Sequence, residues 1–458
     1  MANSRKRRSS DPAAEAARVL ATLDISGRTL RTALSGGVDS VVLLRILRDL
    51  SRRSGFSLAA IHVNHGLSPH AARWEAFCCA LCARWKIPLA VARVTVPKNS
   101  GLGIEAAARA ERYRAFATQA PGMLLLAHHL DDQAETLLLQ LLRGAGVKGL
   151  AAMPAVAQRA PLTIVRPLLA VPRAALVAYA RRHRLEWIED ESNDETALKR
   201  NFLRHRVLPE IAQAFPAYRE TLSRTAAHCA EAAGLLDEIG RADLGGARRD
   251  GGDRRLDCRI LRRLTPARAT NALRGFLVAN LLAAPDTGRI REMLRQILGA
   301  RPDAQPKLVH DGAELRRFRD TLWIVPATGV PEAAPLPWKG EAVLELPGNH
   351  GALEFRRRGK GRGLSLSKLS TQPVTVQFRL GGEKIRLDPS RPRRSLKNLL
   401  QERALPPWER ERLPLLYSGK MLAWVPGIGA DCGFLAGAGE AAVYVRWLPI
   451  QNSCVGAT

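Results

Sequence analysis

Ser35-Gly36-Gly37-Val38-Asp39-Ser40 stands directly behind an apolar run and directly before the helical pattern VVLLRILRDL. Two glycines let the backbone turn tightly with its N–H groups exposed, the serines add hydroxyl donors, and the start of a helix adds partial positive charge. A loop built this way can hold phosphate oxygens. Asp39 is not there to meet phosphate directly; its carboxylate makes sense if Mg²⁺ bridges it to the phosphates, since hard oxygen ligands suit that ion. A serine-rich helix cap with a glycine turn is the structural alternative. The pattern GxxxxGK[ST] is absent from the sequence, so phosphoryl transfer of the ordinary P-loop kind is not expected.

Two further clusters mix imidazoles, carboxylates and an amide: His62-Val63-Asn64-His65-Gly66-Leu67, and His128-His129-Leu130-Asp131-Asp132-Gln133-Ala134-Glu135-Thr136. Such groups serve metal, phosphate and proton handling, although Asp131 or Asp132 alone would also suit a helix start. Arg109 and Arg112, at i and i+3, share a helix face and could reach an anionic substrate or simply be solvated. Gly144-Ala145-Gly146-Val147-Lys148-Gly149 matches GxGxxG but follows a helical pattern instead of a strand, so helix termination is the better reading. Cys79 and Cys82 have CxxC spacing without a second pair; with Cys78 they fall inside an amphipathic helical pattern and read as buried helical cysteines.

These residues need a frame. From Thr29 to about Leu185, the β-type runs TLRTAL, SLAAIHV, LAVARVTV, MLLLAHH and LTIVRPL alternate with helical segments, which specifies βαβ units and a parallel sheet. Ligands of such sheets bind beyond the carboxyl ends of the strands, where the loop and both histidine clusters would meet. Beyond Pro209 strand signals fade, and Ala214–Leu244 with Thr265–Leu298 predict a mainly helical domain. The proline-rich run at Pro326–Trp338 reads as a linker, and the remainder as a small α+β domain with a mobile basic loop at Arg356–Lys368. The expected division is a disordered basic tail (1–14), an α/β domain (15–214), a helical domain (215–325), a linker (326–342) and a C-terminal domain (343–458).

SGGVDS resembles the pyrophosphate-binding loop of the N-type ATP pyrophosphatases, the PP-loop superfamily. Within that superfamily HVNHGL, EAAAR with Arg112-Tyr113, HHLDDQAET, RGAGVKGLAAM, and Trp187-Ile188-Glu189-Asp190-Glu191-Ser192-Asn193 followed by Arg200-Asn201 and Arg204 are similar to motifs of the tRNA(Ile)-lysidine synthetase family. The resemblance extends over most of the chain, Pro326–Pro373 being the main departure. It implies ATP and Mg²⁺ as cofactors, with a CAU-anticodon tRNA(Ile) and free L-lysine as partners. ATP would adenylylate the C2 carbonyl oxygen of cytidine 34, and the lysine ε-amine would displace AMP, leaving lysidine and switching specificity from Met to Ile. Implied for ATP are Ser35, Gly36, Gly37, Val38, Asp39, Ser40, His62 and His129, with Asp39 also on Mg²⁺. Arg112 is implied for charge stabilisation and Asp132 for catalysis; Asp131, Asp132 and Glu135 for lysine or metal; Asn193, Arg200, Asn201 and Arg204 for lysine or tRNA.

Composition fits that expectation. Seventy Lys and Arg against 43 Asp and Glu leave a formal charge of +27, which calls for a polyanion, nucleic acid first. Arg386, Arg391, Arg393, Arg394 and Lys397 could track RNA phosphates or form a solvated face. No run of about 20 apolar residues appears, and an odd count of 7 cysteines argues against a disulfide framework. A soluble cytoplasmic protein without membrane contact is expected, its oligomeric state open, a homodimer included. Two rivals remain: a tRNA 2-thiolation enzyme, which needs cysteines facing the cleft, and a non-catalytic RNA-binding protein.

Overall fold

The computed structural model describes residues 11–97, 103–119, 121–189, 199–245, 254–301, 304–326, 334–348, 350–358 and 363–449. The chain divides into two compact units, Met1–Ile239 and Gly240–Thr458.

In the first unit, strand β1 (Thr29–Ala33) leads through the glycine loop into helix α2 (Val38–Ser54). Strands β2 (Ser57–Asn64), β3 (Leu89–Arg93), β4 (Gly122–Leu125), β5 (Val156–Arg159) and β6 (Leu162–Val165) follow in chain order. They form one sheet, β3-β2-β1-β4-β6-β5, parallel except for β5, which is antiparallel at the edge. The connecting helices are α3 (Ala71–Trp85), α4 (Ile104–Gln119), α5 (Leu130–Leu142), α6 (Val147–Leu150) and α7 (Arg173–Arg182). Leu30, Leu124 and Leu125 are fully buried in the sheet, and Val42, Leu43, Leu44 and Leu47 of α2 pack over it. Truncating one such leucine would cost about 2–5 kcal/mol. Because β1 has β2 on one side and β4 on the other, the chain reverses its winding at β1, and the crevice above β1 and β4 is where ligands of such sheets bind.

Helix α1 (Pro12–Leu20) begins inside the stretch expected to be tail: the Asp11 side chain accepts the Ala13 N–H, and Pro12 supplies a preset helical φ. Helix α5 stops as the glycines require, with Gly144 at φ +68°. Cys78 and Cys82 are buried in α3, whereas Cys79 is exposed.

Helices α8 (Lys199–Phe202) and α9 (Leu208–Ala214) precede the stretch from 215 to 325. Within it lie α10 (Tyr218–Gly245), α11 (Cys258–Arg263), α12 (Pro266–Ala279) and α13 (Thr287–Gly299), as expected. It also contains an antiparallel sheet that periodicity did not reveal, in the order β7 (Arg255–Asp257), β10 (Thr321–Pro326), β9 (Ala313–Phe318), β8 (Lys307–His310). The reason lies in β9, AELRRF, whose inward positions include Arg317, only 1% exposed. Its guanidinium donates to the carbonyls of Ile297 (2.6 Å) and Ala300 (2.8 Å) at the end of α13, so a charged residue occupies a core position and masks the alternation.

The expected linker is likewise structured at its end: Leu336–Pro337 pairs as β11 with the strand Val374–Phe378. The flanks of the expected basic loop are strands, Ala352–Arg358 pairing along Ala442–Leu448. Within this unit Trp408, 5% exposed, wedges against Trp323 (5.9 Å) and Phe318 (6.3 Å), while Arg255 lies 3.8 Å over Trp323.

Candidate active site

The loop after β1 is shaped by one hydroxyl. Ser40 Oγ accepts the N–H groups of Ser35 (3.2 Å) and Gly36 (3.2 Å) and donates to the Gly37 carbonyl (2.9 Å), so two amides converge on a single oxygen, as an anion requires. Gly36 sits at φ +92°, where a Cβ would stand 3.0 Å from Ile188 Cδ1 and 3.4 Å from Cys78 Sγ. Glycine is required twice over, by backbone angle and by space. Ile188 also donates its N–H to the Gly36 carbonyl at 2.9 Å, which ties the Trp187-Ile188 segment to the loop. Val38 opens α2 and is buried; His62, also buried, reaches the Leu34 carbonyl through Nδ1 at 2.8 Å and so braces the loop from below.

Asp39 projects from the first turn of α2. Its Oδ1 is buried without a hydrogen-bond partner among the described residues, while Oδ2 lies 3.6 Å from His129 Nε2 and 3.9 Å from Arg173 Nε. His129, not an aspartate, caps α5: its Nδ1 accepts the Asp132 N–H (3.3 Å), and Asp132 accepts the His129 N–H (3.0 Å). Burial by itself would lower the His129 pKa; the hydrogen bond to Asp39 and the charges of Asp132, Asp39 and Asp131 outweigh it and hold it above the ordinary value. For Asp132 burial pushes upward, but His129, Arg200 and His128 prevail and keep its carboxyl below the ordinary range.

The carboxylates of α5 are spoken for. Glu135, 1% exposed, takes Arg200 Nε (2.6 Å) on one oxygen and Arg204 Nε (2.6 Å) on the other. Arg200 also reaches Asp132 at 2.9 Å, and Asp131 holds Arg219 Nε (2.5 Å) and the Arg173 N–H (2.8 Å). Arg200 and the buried Asn201 lie on α8, and Arg204 on the turn after it. The site thus brings together Ser35, Gly36, Gly37, Ser40, Asp39, His129, Asp131, Asp132, Glu135, Arg200 and Arg204, while Asn193 lies outside the described residues.

Across the crevice the balance differs. Tyr113 of α4, 7% exposed, has Arg109 at 5.3 Å and Arg159 at 4.1 Å from its ring centre. Its hydroxyl meets Arg166, at the end of β6, which donates to the Pro154 carbonyl (2.8 Å) and to His128 Nδ1 (3.1 Å). Burial pushes His65 down to about 4, helped by the Arg112 charge. Sequence reasoning gave Arg166, Arg173 and Arg219 no role. Arg166 was findable, since it follows a strand at the ligand-binding end of the sheet; Arg219 reaches Asp131 from 88 positions away and carries no local signal.

Residues 12–211 match the family model described as the PP-loop domain, residues 256–323 the TilS substrate binding domain, and residues 374–447 the TilS substrate C-terminal domain. The tRNA(Ile)-lysidine synthase of Nitrosomonas europaea is 44% identical over 93% of this chain and 93% of its own. The chain belongs to the tRNA(Ile)-lysidine synthase family. That of Azoarcus sp. is 42% identical over 93% of this chain and 92% of its own. Among solved structures, a U34-tRNA thiolase from Methanococcus maripaludis is 16% identical, covering 48% of this chain and 78% of that one at a TM-score of 0.41. The PP-loop domain makes this an ATP-using enzyme. No helix among its described residues is long and apolar enough to cross a membrane. Burial raises the thiols of Cys78 to about 12 and Cys82 to about 11, unlike the low-pKa thiols that perform sulfur chemistry.

Proposed function

We propose that this enzyme joins the ε-amine of free lysine to C2 of cytidine 34 in the CAU anticodon of tRNA(Ile), through a cytidine adenylylated at the C2 oxygen. The observation that carries the chemistry is Asp39: a carboxylate oxygen sealed without a partner, beside a loop whose amides converge on one oxygen. Among the described residues seven buried side-chain atoms lack a hydrogen-bond partner, and this is the one carboxylate oxygen in that set, so a hard cation suits it. Asp39 would hold Mg²⁺, which when bound supplies neutralisation and orientation of phosphate oxygens.

The chain's own groups then divide the work. The amides of Ser35 and Gly36, with the Ser40 hydroxyl, cradle pyrophosphate as the bond between the α and β phosphates breaks. Arg112 offsets charge on the transferring phosphoryl group. The lysine amine must be neutral to attack C2, and a carboxylate beside it orients it. Asp131 and Asp132 suit that duty, with side chains 18% and 13% exposed, whereas Glu135, at 1%, acts as the strut that sets Arg200 and Arg204. Expulsion of water keeps the activated base for lysine.

RNA would be held farther along the chain. In the second unit a groove of about 930 Å³ with a largely apolar lining runs between α11, α12 and α13, edged by Arg262, Arg274, Arg291 and Arg295. The C-terminal basic run is largely paired, Arg391 with Asp388, Arg393 with Asp431 and Arg394 with Glu402, which favours a solvated or structural role for those three. Incubation with ATP, radiolabelled lysine and CAU-anticodon tRNA transcripts tests the reading. Label should enter the tRNA with one pyrophosphate released per lysine; sulfur dependence, or binding without turnover, would overturn it.

A further inference from the structure

His128 lies between the two halves of the crevice, at the end of β4, and the reaction above assigns it nothing. Its Nδ1 accepts Arg166 Nε at 3.1 Å. An arginine has only donors to offer, so Nδ1 must be the unprotonated nitrogen, and the neutral ring must carry its proton on Nε2. Nε2 has no hydrogen bond among the described residues, and the side chain is half-buried. Arg166 is itself fixed, 5% exposed and held by the Pro154 carbonyl and the Tyr113 hydroxyl. The tautomer is therefore set by a chain of contacts running back into α4.

The charges around the ring decide what such a donor meets. Facing it are Arg166 from the end of β6, Arg109 from α4, Arg200 from α8, and Asp132 from α5. Arg166 contacts a carbonyl, a hydroxyl and an imidazole, and Arg109 stands over the Tyr113 ring; among the described residues neither contacts a carboxylate. A positive field with an open N–H donor suits an anionic oxygen. We propose that His128 is a substrate-binding residue, an Nε2–H donor to a phosphate oxygen at the mouth of the crevice, with Arg166 the positioning residue that fixes its tautomer. The phosphate belongs either to ATP or to the RNA strand beside the target base. Burial, with Arg166, Arg200 and Arg109 behind it, holds the ring pKa near 3 against the pull of Asp132, so the donor stays neutral throughout the physiological range.

The inference rests on the proposed reaction for its meaning but is testable apart from it. Asn places its amide where histidine has Nδ1, and Gln places its own where histidine has Nε2. His128→Asn should keep the contact to Arg166 and lose the donor, lowering kcat/KM for lysine incorporation about 10- to 100-fold. His128→Gln should recover at least about tenfold of that loss. Equilibrium binding of ATP without tRNA, and of tRNA without ATP, tells which phosphate is held: the affinity that His128→Asn weakens names the source. If neither affinity changes, or if the Asn variant outperforms the Gln variant, His128 serves only to hold Arg166 and the proposal fails. In the parent chain, ¹⁵N shifts of labelled histidine should report an Nε2–H tautomer for His128, and Arg166→Lys should mix in the other; a parent Nδ1–H signal overturns the assignment. Failure of the parent chain to incorporate lysine would instead sink the reaction, while the binding and tautomer results still judge His128.

Discussion

The two walls of the crevice are built on opposite principles. On the α5 wall, Asp131, Asp132 and Glu135 are matched to Arg219, Arg200 and Arg204, a network closed on itself. On the α4 and β6 wall, Arg109 and Arg166 rest on an aromatic ring, a carbonyl and an imidazole. A closed network holds its members rigidly in place; an open array of cations is completed only when an anion arrives. Asp39 is the mirror case, an anion with an oxygen left open between the two.

The largest effect should come from Asp39. Asp39→Ala is expected to cut pyrophosphate release roughly a hundred- to thousandfold, because the carboxylate that would hold Mg²⁺ is removed, with the circular dichroism spectrum unchanged. Turnover above about a tenth of the parent rate would remove Asp39 from the metal role.

Replacing Asp131 or Asp132 by alanine should separate the half-reactions. If either holds lysine, adenylylation proceeds and AMP-tRNA accumulates, visible as label from ATP that stays on the tRNA. Equal loss of adenylylation in both variants would assign them to ATP or metal instead.

Opening the closed network should be costly to the fold. Arg200→Met leaves Glu135, 1% exposed, with one guanidinium instead of two, and about 3 kcal/mol of stability should disappear in urea denaturation. The matching change on the other wall, Arg109→Ala, should cost under about 0.5 kcal/mol, since Arg109 is exposed.

Acid gives a finer comparison. His65 and His128 are held below their ordinary 6.5, at about 4 and about 3. As pH falls from 6.5, the unfolded chain takes up these protons first, so stability should decline through that window toward about 3 and be unaffected by them above 6.5. His129, raised, works in the opposite direction: its contribution is present at low pH and lost as pH rises through its folded pKa. His128→Gln should therefore flatten the acid limb of urea midpoint against pH; an unchanged limb would mean that His128 already titrates normally.

The smallest effect tests the open array as an RNA contact. Arg109→Ala should lower the slope of log affinity for tRNA against log salt by about 0.7 to 0.9, one phosphate's worth. An unchanged slope leaves the array to ATP alone.

Much of the first unit was legible because its signals are local. All five strands read from TLRTAL, SLAAIHV, LAVARVTV, MLLLAHH and LTIVRPL form, and the residues after them meet at one end of the sheet. Only β5, an edge strand with exposed Gln158 and Arg159, escaped. Roles settled by distant partners were hidden: Asp131 and Glu135 look like free ligands in sequence, and nothing nearby announces the arginines that hold them. Between 255 and 326 the strands escaped because Arg317 breaks the alternation from inside the core, whereas VTVQFRL and MLAWVPGIG farther along were read as strands and do form.

One contact joins positions that the sequence keeps far apart. A Cβ on Gly36 would stand 3.0 Å from Ile188 Cδ1, and the same two residues share a backbone hydrogen bond of 2.9 Å. In the language of inheritance, they form a linked pair of unequal members: position 188 is free to drift among smaller aliphatic residues, while position 36 is locked. A lineage that accepted alanine at 36 would need a prior trim at 188, and even then the left-handed backbone would keep charging a toll on every descendant. Suppressor screens begun from Gly36→Ala should therefore return changes at Ile188 that restore growth in part, and true reversion for the rest.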